Sequence, residues 1–409
     1  MIDPLFALSA AAFLVSLDRA IFAPLLPAIA HDLRGTIGAA GLAVTAYTIP
    51  YGACQVFYGP AADRAGKIAV VKWAVLVFAA GTALCAFSPG LAVLDALRAA
   101  TGGAAAAVIP LSLAYIGDVV PYARRQQTIA TLMGVTSLGN ALSTAVGGIV
   151  ADFLSWRALF AFYGVCSLAV TAALFNVRRA PYEAATGETG EGQGNPSALR
   201  PAPGWRRYTE VLGIGSAQVL YVLVGLEGFF LQGGFTYLGA FLRERLGLSY
   251  LAIGLLLGCY GASTVVASRV LRRIHGRVAE QHLLLGGGLL IAAGYSAIAP
   301  VGHWMPFLVA MVALGVGFSF FHSTLQVRAT ELVPRLRGTS VALFAFALFL
   351  GAGIGTAALG LLVSGPPAAA DRGYFIMLLI CGAGMLLVTL AAWRAPHGSS
   401  PESNIPSPA

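Results

Sequence analysis

The chain has 409 residues, of which 58% are hydrophobic and only 10% charged, with a formal net charge of +8 and a mean hydropathy of +0.80. Soluble domains carry about 25% charged residues, so a water-soluble fold is excluded. The positive excess does not mark a nucleic-acid binder either, because the basic residues punctuate apolar segments instead of clustering on one soluble face.

Apolar stretches of about 20 residues bounded by polar turns read as helices that cross a bilayer. They are predicted at 5–30, 38–62, 69–88, 91–117, 128–150 and 157–177, and then at 211–241, 249–271, 282–301, 306–330, 338–363 and 373–394. The expected fold is an all-α membrane protein of twelve helices in two six-helix bundles, residues 1–177 and 211–394. The first span lacks a basic leading region and is too long for a signal sequence, so no cleavable signal is expected. Residues 178–210 are rich in Gly, Pro and Glu without periodicity. They cannot bury enough apolar surface to offset their ordering entropy and should form a mobile cytoplasmic linker. The tail, residues 395–409, should be disordered. Lys and Arg concentrate in one set of loops, whereas the opposite set holds Arg34, Arg157, Arg243, Arg245 and Arg372. The bias toward one side places both termini in the cytoplasm.

Asp18 and Arg19 interrupt the first span near its middle. A charge at the bilayer centre costs about 2.5–3.5 kcal/mol on insertion scales, so intramembrane charges pair or line a wet cavity. Adjacent helical residues point about 100° apart, so the two charges cannot share one direction. Arg98 of the fourth span is the expected partner of Asp18. Burial favours the neutral carboxyl and a cation favours the charged one, so a change in hydration would let Asp18 load and release a proton. A fixed ion pair orienting two helices is the alternative. Glu227, in the seventh span, reads as a further proton carrier, as an anionic contact for a cationic substrate, or as a satisfied core carboxyl. His322, a lone imidazole in an apolar helix, is either functional or a hydrogen-bonded packing residue. A cavity suited to flat apolar or cationic compounds is expected from Arg19, Tyr47, Tyr51, Phe230, Gln232, Tyr237, Phe318 and His322.

Other chemistries lack the residues they need. The five cysteines fall in five different spans without a CxxC, which leaves metal and redox sites without ligands. No GxxxxGK[ST] run exists for an ATP-driven pump, and the six histidines are scattered. No enzyme, metal or cofactor is expected, and a proton gradient is the expected energy source.

The halves repeat each other. Asp118-Val-Val-Pro121-Tyr-Ala-Arg124 returns 213 residues later as Glu331-Leu-Val-Pro334-Arg-Leu-Arg337, and Gly66-Lys67 returns 210 residues later as Gly276-Arg277. Gly59-Pro-Ala-Ala-Asp63-Arg64-Ala-Gly66-Lys67 resembles the loop signature of the major facilitator superfamily. Leu17-Asp18, with Leu25-Leu-Pro27 and Asp32-Leu33, is similar to the first-helix motif of its drug:proton antiporter branch. Arg98 followed by Gly102 and Gly103 resembles the fourth-helix motif, and Trp156-Arg157 is a further shared element. One departure stands out: in Gly139-Asn-Ala-Leu-Ser143-Thr144-Ala-Val-Gly147-Gly148 the Gly-Pro of the fifth-helix antiporter motif is Ser143-Thr144, which weakens the expected kink. The resemblance implies a monomer in the plasma (inner) membrane that expels lipophilic or cationic drug-like compounds by proton-coupled alternating access. Its implied partners are a small-molecule substrate, protons and lipid. It also implies a gating loop, Gly59, Asp63, Arg64, Gly66 and Lys67, in which Asp63 latches onto the eleventh span near Gly338 and Thr339. Export of a sugar, an amphiphilic lipid or a metabolite is the alternative, with a non-transporting receptor behind it.

Overall fold

A bilayer core offers no partners for backbone N–H and C=O groups, so a spanning chain must satisfy them within helices. The computed structural model describes residues 3–177, 204–274, 276–300 and 302–395. In chain order the helices of the first half are α1 (Pro4–Ala20 and Phe22–Asp32), α2 (Ile37–Ala65), α3 (Lys67–Cys85), α4 (Leu91–Val119), α5 (Tyr122–Phe153) and α6 (Trp156–Phe175). Those of the second are α7 (Gly215–Leu246), α8 (Tyr250–Ile274), α9 (Glu280–Ile298), α10 (Trp304–Glu331), α11 (Arg337–Gly360) and α12 (Pro367–Arg394). All are long and apolar enough to cross a membrane when the two pieces of α1 count as one span.

Three features depart from uninterrupted spans. The pieces of α1 meet at 58° around Ile21. Pro24 lacks the N–H that would bond to the Ala20 carbonyl, and its ring crowds that carbonyl. In α7, residues Gly228–Gln232 form a π-helical turn, a wider turn that rotates every later side chain relative to a regular helix. The expected linker falls outside the described residues over 178–203, as do the tail from 396 and His275. Its last residues belong instead to a short helix, Gly204–Leu212. Among the side chains that hold it, Val211 is buried, the Tyr208 hydroxyl donates to the Val56 carbonyl at 3.3 Å, and Glu210 pairs with Arg335.

The halves pack by one scheme. In the first half α1 lies on α5, α2 on α4 and α3 on α6; in the second α7 lies on α11, α8 on α10 and α9 on α12. Each pair maps onto its counterpart six helices later, the structural form of the sequence repeat. Without a water-driven force between lipid-immersed helices, small residues mark where backbones close in. Across the halves these contacts sit toward one end: Gly38 against Gly360, Gly148 against Gly254, and the Thr45 hydroxyl donating to Gly353 O at 2.9 Å. At the same end Asp152 accepts from the backbone N–H groups of Tyr250 and Leu251 at 2.9 and 2.7 Å, capping α8 from the opposite half. Toward the other, arginine-rich end, neither Gly59 nor Gly338 has a neighbour within 4 Å of a Cβ position. The halves are therefore splayed at the arginine-rich end and closed at the opposite one.

Within the second half, a Cβ on Gly351 would stand 2.8 Å from Gly225 Cα, whereas one on Gly117 would meet nothing within 4 Å. Gly351→Ala is expected to destabilise by about 1–3 kcal/mol through overpacking, while Gly117→Ala gains up to about 1 kcal/mol of helix propensity. Thermal unfolding of the purified variants checks the opposite signs.

Candidate functional site

On α1, immediately before its break, Asp18 is fully buried and accepts from Arg98 Nη1 through both oxygens, at 3.0 and 2.8 Å. Arg98 is 1% exposed, and its guanidinium carbon lies 4.2 Å from the Tyr47 ring centroid and 4.8 Å from that of Phe22. A planar, permanently charged guanidinium suits both the carboxylate and the ring faces. The pair is sealed from solvent, and Tyr47 and Phe22 form the layer between it and the chamber described next.

Between the halves lies a chamber of about 970 Å³. Its walls include Arg19, Tyr47 and Tyr51 from the first half and Gln232, Tyr260, Phe318 and Phe349 from the second. Toward the arginine-rich end it runs out past Arg269 and Arg272. Arg19, turned away from its neighbour Asp18, donates to Asn140 Oδ1 at 3.3 Å and lies 5.5 Å from the Phe349 ring centroid.

Of the side chains expected to line a cavity, Arg19, Tyr47, Tyr51, Gln232 and Phe318 do so, and three do not. Phe230 packs against Phe229, centroids 4.9 Å apart, and covers Gly384 of α12. The π turn carries it off the chamber wall while Gln232 comes onto it. Tyr237 is fully buried at the closed end, donating to Thr356 O at 2.7 Å. His322 stands behind Phe318, their rings stacked at 4.7 Å.

His322 has a partner that sequence reading did not join to it. Its Nδ1 is 3.0 Å from Glu227 Oε1, and Glu227 is fully buried with Oε2 lacking a hydrogen-bond partner among the described residues. Glu227 follows Asp18 by 209 residues, close to the offsets of the sequence repeat. Each half thus holds an acid on its first helix, just before an irregularity, paired with a basic residue on its fourth helix, Arg98 or His322. Aromatic rings of the chamber wall screen each pair, Tyr47 and Phe22 over Arg98 and Phe318 over His322.

The motif residues hold the frame. Gly66 adopts φ +86°, a conformation that glycine tolerates, and Lys67 pairs with Asp118. Asp63 is exposed, and among the described residues it makes no hydrogen bond to the start of α11. The expected latch is open in this state, as the splayed end requires. Trp156 Nε1 and Arg157 Nε both donate to Asp32 Oδ2, at 3.1 and 3.0 Å, which joins two motifs noticed separately. In α5, an unbroken helix, the Ser143 hydroxyl donates to the Leu17 carbonyl, and Gly139 and Gly147 admit α1 closely. Asn140, Tyr260 and Phe349 escaped sequence reading. Asn140 carried a signal, a polar amide beside Gly139 in an otherwise small-residue motif.

The profile of the Major Facilitator Superfamily matches residues 8–356. The puromycin resistance protein pur8 of Streptomyces alboniger is 25% identical, covering 94% of this chain and 89% of its own length. A chloramphenicol resistance protein of Streptomyces lividans is 28% identical, covering 80% of each. Among solved structures, a bacterial homolog of the human lysosomal transporter Spinster, inward-facing and unoccupied, superposes with a TM-score of 0.79 at 17% identity, covering 97% of this chain and 98% of that one.

Removing one partner of a buried pair leaves the other charge uncompensated, at a cost of about 3–5 kcal/mol. Arg98→Leu is expected to lower thermal stability by that order, and Asp18→Asn combined with Arg98→Leu to recover most of the loss. A double-mutant cycle on the melting transitions measures it.

Proposed function

The chain belongs to the Major Facilitator Superfamily, and from that premise we propose that it is a proton-coupled exporter of lipophilic, drug-sized compounds working by alternating access in a plasma membrane. The observation that carries this reading is the aromatic chamber, open at the arginine-rich end and closed at the other, with a buried acid and its basic partner behind the aromatic residues of each wall. The excess of Lys and Arg assigns the open end to the cytoplasm, so substrate enters from inside the cell. Relatives named for puromycin and chloramphenicol resistance support export. A chamber of about 970 Å³ matches the roughly 300–1,000 Å³ of drug-sized sites.

Coupling runs through Asp18, Arg98 and Glu227, with the two pairs unequal in role. Asp18 spends both oxygens on a guanidinium that never loses its proton. Among the described residues Glu227 keeps one oxygen unbonded, and its partner is an imidazole in place of a guanidinium. Glu227 is accordingly the loading group, with His322 as its exchange partner. Asp18 follows when movement of Tyr47 admits water. As the halves rock, closure of the splayed end lets Asp63 reach the start of α11, where the helix N-terminus favours a carboxylate.

The test is flux of a lipophilic compound from proteoliposomes under an imposed pH gradient. Wild type is expected to accelerate with the gradient. Glu227→Gln is expected to lose that acceleration while retaining downhill exchange, because the neutral amide mimics a permanently protonated acid. Gradient-driven flux unchanged in both Glu227→Gln and Asp18→Asn would refute the coupling assignment.

A further inference from the structure

The charge on the chamber wall has one sign. Arg19 sits midway along the cavity, and Arg269 and Arg272 line its mouth, yet among the described residues no Asp or Glu lines it. The two acids nearest the chamber are already committed: Asp18 to Arg98 behind Tyr47, and Glu227 to His322 behind Phe318. Arg19 is exposed into the chamber, and its contacts are neutral, the Asn140 amide and the Phe349 ring. A guanidinium kept deep in a membrane without a carboxylate is retained at a cost, which such residues offset by serving a wet cavity or a ligand. Its planar fork fits a carboxylate, phosphate or sulfonate through two parallel hydrogen bonds. Tyr47, Tyr51, Tyr260 and Phe318 surround this one charge with apolar aromatic surface.

We infer that the transported compound is an amphiphilic anion, an apolar or aromatic body bearing one carboxylate, phosphate or sulfonate that is held by Arg19. This deepens the export reading and rests on it, and it replaces the cationic substrate expected from resemblance. A cation would meet three arginines and no counter-charge. Asn140 is a positioning residue that turns the guanidinium toward the chamber. Arg269 and Arg272 gather anions at the entrance, as a cleft lined by one sign of charge does.

Three probes with one aromatic body decide the matter: pyrenebutyrate, pyrenebutyramide and pyrenebutylamine, each measured by equilibrium dialysis against the purified full-length protein. Wild type is expected to bind the acid about tenfold tighter than the amine, the worth of one charge-assisted contact. Arg19→Gln should erase that preference, and Arg19→Lys should restore part of it, a recovery that a purely structural role would not give. Lysophosphatidate displacing pyrenebutyrate from wild type identifies a lipid anion as a ligand, and salicylate doing so identifies a water-soluble one. Failure of the acid to bind, equal binding of the amine, or a preference unchanged in Arg19→Gln overturns the inference. Flux of the same probes in proteoliposomes separates the two readings. Arg19-dependent anion binding without flux sinks export alone, whereas flux without an Arg19-dependent preference sinks the anion site alone.

Discussion

Asp18 and Arg19 stand side by side on α1 in a medium that tolerates neither charge unattended. A helix sends adjacent side chains about 100° apart, so the two must find different company. Asp18 turns to Arg98 behind Tyr47, and Arg19 turns into the chamber. The rotation of α1 is thereby fixed against α4. The hydrogen bond from Ser143 to the Leu17 carbonyl and the close passage of Gly139 fix it against α5 as well. Everything the chamber presents to a ligand follows from that rotation.

The second half repeats the device with different chemistry. Glu227 precedes the π turn as Asp18 precedes the break at Ile21, and His322 takes the place of the cation. The substitution matters because arginine is always charged whereas histidine changes charge near neutral pH. One half pairs its carboxylate with a guanidinium, and the other with an imidazole. The two halves thus repeat one placement of a buried acid with a different partner in each. Beside Asp18 the helix bends by 58°, and beside Glu227 it widens into a π turn.

Much of this was legible in the sequence because the bilayer is a strict solvent. Twelve apolar segments had to be helices, and Asp18 and Arg98, both inside apolar spans, had to find partners. Motif spacing carried Gly66 and the Trp156-Arg157 corner, although not the fact that Asp32 receives both side chains of that corner. What stayed hidden depended on register. The π turn decides that Gln232 faces the chamber and Phe230 faces α12, and hydropathy cannot see a turn that adds a residue. The pairing of Glu227 with His322 joins residues 95 apart on different helices, a tertiary contact that no local pattern announces. Pro24 was visible as a residue, but where the break at Ile21 would aim the rest of α1 was not.

The most direct measurement is side-specific labelling of single cysteines on α1 in an otherwise cysteine-free protein, using a membrane-impermeant thiosulfonate in sealed vesicles of known orientation. A cysteine replacing Arg19 should react rapidly from the arginine-rich face and slowly from the other, while one replacing Leu17, on the packed side of the helix, should resist from both. Equal reactivity at the two positions, or access to position 19 from the opposite face alone, would mean that α1 is rotated otherwise and that the chamber is not where these charges place it.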